Sequence, residues 1–196
     1  MPTYNQTNIF EVPQVFLDMK AQSFTLQIDD NFSLRILTSE DVSDAYVRWM
    51  NDYEIVQYTE QRFYKHTAED VKKFVSEKLA SNTDFLFGMY YDDTHVGNIK
   101  LGPIDIFHGA ADVSFIIGDK RFWGKGLAVK AIQRVIQFAF IDLKLKRLAA
   151  GYYIVNTGSK KVLEKCGFKF EGEQRGRFLF ENVRMSHVFV GLVNED

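Results

Sequence analysis

The segment Arg121 to Ala128 reads Arg-Phe-Trp-Gly-Lys-Gly-Leu-Ala, and few folds can hold it. On one side lies a short β-like run, Val113 to Ile117, closed by Gly118. On the other, Ala128, Ala131, Ile132, Val135 and Ala139 recur at helical spacing, with Lys130, Gln133, Arg134 and Gln137 on the opposite face. The order is therefore strand, glycine-containing loop, helix. The first turn of such a helix presents unpaired N–H groups and the positive end of its dipole to the loop. Gly124 and Gly126 let the main chain curl close to a ligand with no Cβ in the way. Arg121 and Lys125 add positive charge, so the concavity suits a phosphate or pyrophosphate.

Three phosphate loops compete for this stretch, alongside an ordinary glycine-rich connection. A P-loop needs two glycines five residues apart followed by Lys-Ser/Thr, which is absent. A dinucleotide fingerprint needs a third Gly or Ala where Val129 stands and an acid about 20 residues on. The next strand, about Arg147 to Tyr153, ends at Val155-Asn156 without one. The third pattern is Arg/Gln-x-x-Gly-x-Gly/Ala, matched by Arg121, Gly124 and Gly126. It resembles the acetyl-CoA pyrophosphate loop of the GNAT N-acetyltransferase superfamily. Downstream, Asn156-Thr-Gly-Ser159 followed by Val162-Leu-Glu-Lys-Cys-Gly-Phe168 is similar to the second GNAT signature, with Gly167 where a helix C-cap favours a left-handed residue. Val96 to Ile104, Ala111-Asp112 and Ile117 to Lys120 resemble the branch that includes the ribosomal-protein N-terminal acetyltransferases. The resemblance runs from about Phe32 to Leu192.

It implies an α/β (α+β) fold, with a mixed, mostly antiparallel sheet flanked by helices and splayed at its fourth and fifth strands, Asp112 to Ile117 and Arg147 to Tyr153. Acetyl-CoA is then the co-substrate, with its pantetheine arm in the gap. The residues implied to bind it are Phe115, Ile116, Ile117, Arg121, Trp123, Gly124, Lys125, Gly126, Leu127, Ala128, Asn156 and Ser159. For Trp123, packing beside the glycines competes with stacking on adenine.

With 196 residues, the chain has room for one well-buried domain. A formal charge of −2 gives no electrostatic case for nucleic acid or an anionic membrane surface. One cysteine forms no internal disulfide, and no Cys/His spacing suggests a metal site. Cys166 falls on an apolar stripe with Val162 and Leu163 and reads as core. The start of the chain lacks the basic and apolar regions of a signal peptide, and no apolar run approaches a membrane span, so a cytoplasmic location is expected.

Residues 1–22 read as an apolar arm packing on the domain or on a second copy, which makes a homodimer a candidate; 23–196 form the acetyltransferase domain. Alternation in Phe24-Leu26-Ile28 and Phe32-Leu34-Ile36 around Asp29-Asp-Asn31 predicts a hairpin. A helix capped at Thr38 to Asp41 is expected to run to about Asn51, and another from Thr67 to about Leu79 with capping-box spacing. Strands are predicted at Phe85–Tyr91, Val96–Leu101, Ala111–Ile117, Phe168–Phe170 and Val183–Leu192.

The implied reaction is aminolysis of a thioester, which needs a neutral amine, an oxyanion site and a proton for the departing thiolate. Asp112, where similar members often carry Glu, is the first candidate base, against a plain turn-capping role; His108 is the second. Many members have Tyr where this chain has Leu163, so Ser159, or water, is the candidate donor to the thiolate. Asn156 can hold the pantetheine arm or cap the following helix. The aromatic stretch Tyr58 to Tyr64, with Glu60, Arg62, Lys65 and His66, corresponds to the acceptor cover. A small or nucleotide-linked amino-sugar amine is the expected acceptor, with a protein N-terminus as the alternative. The rival from another class is a non-catalytic acyl-CoA-binding protein.

Overall fold

The computed structural model describes residues 24–195; the predicted arm, residues 1–22, lies outside them. The first hairpin pairs β1 (Thr25–Asp29) with β2 (Phe32–Ile36). After it come α1 (Asp44–Asn51), the single turn α2 (Tyr53–Val56) and α3 (Ala68–Ala80). Strands β3 (Phe85–Tyr91), β4 (Thr94–Asp105) and β5 (Ala110–Ile117) lead to α4 (Leu127–Gln137). The chain ends in β6 (Arg147–Tyr153), α5 (Thr157–Lys165), β7 (Lys169–Phe180) and β8 (Val183–Val193). The eight strands form one sheet in the order β1-β2-β3-β4-β5-β6-β8-β7. The two strands expected to splay are β5 and β6, the fifth and sixth, because the first hairpin contributes two.

Among the described residues only β5 and β6 run parallel as neighbours, since α4 carries the chain across between them. Their ladder is short: Ala110 pairs with Arg147, Ala111 with Leu148 and Asp112 with Ala149. Past that point the strands part. Beyond it each remains paired on its other edge, β5 to β4 as far as Gly97↔Ile117 and β6 to β8 as far as Tyr153↔His187.

Two cores cover the two faces. The larger packs α4 and α5 on the sheet, burying Ala131, Ile132, Val135 and Leu163 of the predicted apolar stripes. Phe138 and Ala139, both fully buried, continue α4 through one wider π turn, Phe138–Asp142. The Phe138 ring meets Phe85 edge-on at 5.3 Å. The smaller core gathers Tyr46 and Trp49 of α1, Val71 and Val75 of α3, and Leu37, Leu86 and Tyr90.

Several boundaries differ from expectation. The helix predicted from Thr38 is interrupted: Thr38 caps only the 3-10 turn Ser39–Asp41, and α1 restarts at Ser43, whose hydroxyl accepts the Tyr46 N–H at 3.3 Å. Thr67 does make the capping box, with Thr67 N–H donating to Asp70 Oδ2 at 2.8 Å. β7 runs to Phe180 where only Phe168–Phe170 was expected, because it is an edge strand, largely exposed, with no apolar alternation to reveal it. Arg147 opens β6 and pairs bidentately with Glu171 of β7.

Gly118 joins the smaller core to the loop. Its N–H donates to Val96 O at 2.9 Å, and a Cβ on it would fall inside the indole of Trp49. Gly118→Ala is therefore expected to lower stability by about 1–3 kcal/mol, the usual cost of overpacking a filled site. Urea unfolding measures it, and an unchanged midpoint would mean that Trp49 moves aside at no cost.

Candidate active site

The parting of β5 and β6 opens a cleft of about 760 Å³. Its edges are Val113 to Ile117 on β5 and Ala150 to Tyr153 on β6. Gly118 N–H bonds back to β4, so by the alternation of a strand the N–H groups of Phe115 and Ile117 turn to the open side. The predicted positions Phe115, Ile116 and Ile117 thus line the gap, as do Trp123, Gly124, Gly126, Leu127, Ala128, Asn156 and Ser159.

Gly124 and Gly126 have φ of 73° and 80°, which puts both in the left-handed region. Gly126 is the N-cap of α4, and the first bond of the helix closes from Lys130 N–H to Gly126 O at 3.2 Å. The N–H groups of Leu127, Ala128 and Val129, all lining residues, are thereby left at the positive end of the helix, an arrangement suited to an anion such as a pyrophosphate. The two predicted cations of the loop stand elsewhere. Arg121 is exposed and turned back on Asp119, with its Nη2 2.6 Å from Oδ2, and Lys125 lies over the Phe122 ring at 5.2 Å; neither lines the cleft. The positive side chains that do are Lys161 and Lys165 of α5. Trp123 is anchored by its indole N–H to Ile117 O at 2.9 Å.

At the start of α5, Asn156 Oδ1 accepts the Ser159 N–H at 3.0 Å. Asn156 is thus the cap, with its amide nitrogen still available to a ligand. Ser159 is half-buried against the cleft, and Leu163 is buried behind it. Cys166 is core as expected: burial pushes its thiol up to about 11, so no thiolate is available at neutral pH.

The two predicted bases lie apart from this wall. His108 sits on the exposed turn between β4 and β5, at the closed end of the strand pair. Asp112 marks the last rung of the β5–β6 ladder and is not among the lining residues. Although much of Asp112 is open to solvent, crowding by the adjoining strands raises its carboxyl above the usual range, against the lowering effect of Lys100 and Arg147.

The aromatic stretch expected to cover the acceptor stands on the other face, where it meets Tyr153, a residue the motifs did not single out. The 3-10 turn Glu60–Phe63 and the residues before it form a flap over the cleft. Tyr153 of β6, buried and stacked on Phe178 at 4.0 Å, donates its hydroxyl to Glu60 Oε1 at 2.9 Å. Arg62 Nη1 donates to that hydroxyl at 2.9 Å and to Gln57 O and Thr59 O, while Nη2 reaches Leu179 O of β7 at 2.9 Å. Burial, chiefly, raises the Tyr153 pKa, so it stays a phenol. Strand alternation could have placed Gly151 and Tyr153 on one face; their partners on β7 and β8 are too distant in sequence to infer.

The profile of the GNAT acetyltransferase domain matches residues 31–169. YjcK of Bacillus subtilis, a probable N-acetyltransferase, is 34% identical over 138 residues, 67% of this chain and 75% of that one. The crystal structure of ribosomal-protein-S5-alanine acetyltransferase from Vibrio fischeri superposes with a TM-score of 0.75 at 25% identity, covering 86% of this chain and 96% of that one. Spermidine N-acetyltransferase from Vibrio cholerae, solved with CoA and spermine, gives 0.75 at 21% identity over 84% and 96% of the two chains. The chain belongs to the GNAT family of N-acetyltransferases, an acyltransferase fold whose co-substrate is acetyl-CoA.

The space over Gly126 is open, since a Cβ there would meet nothing within 4 Å. Gly126→Val should abolish acetyl-CoA binding, measured by calorimetry, while the fold survives with a loss of roughly 1–2 kcal/mol from the forced positive φ. Unchanged affinity would remove the glycine loop from the donor site.

Proposed function

We propose that the chain acetylates a primary amine of a small molecule that carries positive charge. The observation that carries this reading is the Glu60 carboxylate in the acceptor wall. It is held by the Tyr153 hydroxyl, and Tyr58, Tyr153 and Phe178 surround the same end of the cleft. A carboxylate among aromatic faces suits an ammonium group, by charge and by the ring quadrupoles. Glu54 adds a second acid to the lining, although Lys120 already pairs with it at 2.6 Å. The basic patch that a nucleotide-linked acceptor would want is missing from this wall, because Arg62 is held by four acceptors and Lys65 is exposed outside it.

In this reading the thioester lies along the β5 edge, with its carbonyl oxygen at the N–H of Phe115 or Ile117. The amine nitrogen attacks the carbonyl carbon, the oxyanion forms against those N–H groups, and the C–S bond breaks. Ser159, or water behind it, gives the thiolate its proton, since Leu163 has none to give. A cytoplasmic location fits the use of acetyl-CoA.

Acetyl-CoA at a hundredfold excess over its dissociation constant should stabilise the fold by roughly 2.7 kcal/mol in thermal unfolding, with NAD and ATP inert. CoA release should then follow with small diamines or aromatic amines and not with N-terminal peptides. Glu60→Gln should raise KM for the amine about tenfold with acetyl-CoA affinity unchanged, as expected for a lost charge-assisted contact. Turnover of peptides alone would reassign the acceptor, and binding without CoA release from any amine would leave an acyl-CoA-binding protein.

A further inference from the structure

Gly151 stands two residues beyond Ala149, the last residue of β6 that pairs with β5. A Cβ on it would fall inside the imidazole of His187. His187 lies on β8, opposite Tyr153 in the ladder, and its ring leans over Gly151 toward the gap. Phe178 and Phe189 flank that ring at centroid distances of 5.0 and 4.3 Å. The half-buried imidazole lines the same cleft as Ser114 and Tyr153.

We infer that His187 is the general base for the acceptor amine, and that position 151 is glycine so the imidazole can reach the open edge of β6. The inference rests on the acetyl-transfer reading above. Its chemistry balances simply. The bound ammonium gives one proton to the imidazole, which passes it to solvent. The neutral nitrogen then bonds to the thioester carbon, the C–S bond breaks, and the second proton lost by nitrogen ends on the CoA thiolate. The groups facing the ring agree with this role. Burial and, more weakly, Arg177 of β7 keep it below its ordinary pKa of 6.5, and therefore neutral at pH 7. On β6 the neighbour is the Tyr153 phenol, on β5 Ser114 and Asp112 share the face, and from the flap Glu60 is already engaged by Tyr153.

The test compares the wild type with His187→Gln, Gly151→Ala and Asp112→Asn, using spermidine, tyramine and glucosamine as probe amines and CoA release as the readout. Wild-type kcat/KM should fall on the acid side as the imidazole protonates below pH 6.5. His187→Gln should lose about 100-fold at neutral pH and lose that acid limb, with acetyl-CoA affinity unchanged. Gly151→Ala, which displaces the ring and leaves it present, should lose rate and keep acetyl-CoA affinity. Asp112→Asn should keep the limb. Wild-type rate and pH profile in His187→Gln would overturn the inference alone, as would a loss matched by lost acetyl-CoA affinity, the mark of a structural role. A limb lost in Asp112→Asn instead would move the base to β5. A wild type that binds acetyl-CoA and acetylates none of the three amines would overturn the acceptor reading, and this inference with it.

Discussion

The three-rung parallel ladder between β5 and β6 governs this molecule. Parallel strands need a crossover, and α4 supplies it, so the loop before α4 must leave from the end of β5. Because the ladder stops at Asp112 and Ala149, the main-chain groups beyond it that face the gap lack a neighbouring strand. Such groups need partners, and a ligand rich in amides can provide them. The antiparallel partners on the outer edges, β4 and β8, keep the two lips from collapsing together. The opening therefore belongs to the sheet, and side chains only decorate it.

The two cores divide the labour across that opening. The glycine loop continues into α4, whose inner face is set in the larger core through Ile132 and Val135. The flap follows α1 and α2, and α1 is seated by Trp49 and Tyr46 in the smaller core. Gly118 packs the donor loop against the smaller core through the indole of Trp49, and Lys120 of the same loop pairs with Asp52 and Glu54 just after α1. The glycine loop and the flap thus hang on separate packing clusters, joined where the loop meets Trp49, Asp52 and Glu54.

Much of the donor half was legible in the sequence because its signals are local. The glycines at fixed offsets adjoin the apolar stripe of α4 in sequence, and each of these is read from residues close together. Side-chain direction was not legible. Arg121 looked like a phosphate ligand but has a nearer carboxylate two residues back in Asp119. The acceptor half depends on contacts remote in sequence, such as Tyr153 with Glu60 and Gly151 with His187. Neither residue of the second pair drew notice, since β8 enters the sheet between β6 and β7 out of chain order. Asp112 was expected as base from the family's usual Glu and His108 from its side-chain chemistry, and neither argument carries the neighbouring strands that decide which residues face the gap.

The four bonds made by Arg62 have a thermodynamic consequence for molecular selection. They tie the flap to itself, to β6 and to β7, so the rim is ordered by folding and not by the arrival of a substrate. On the proposed function, an incoming amine then loses little affinity to organising its own site. Such a preformed rim discriminates by fit: a molecule of the wrong shape or charge meets a wall that cannot rearrange around it cheaply, and is turned away at the binding step.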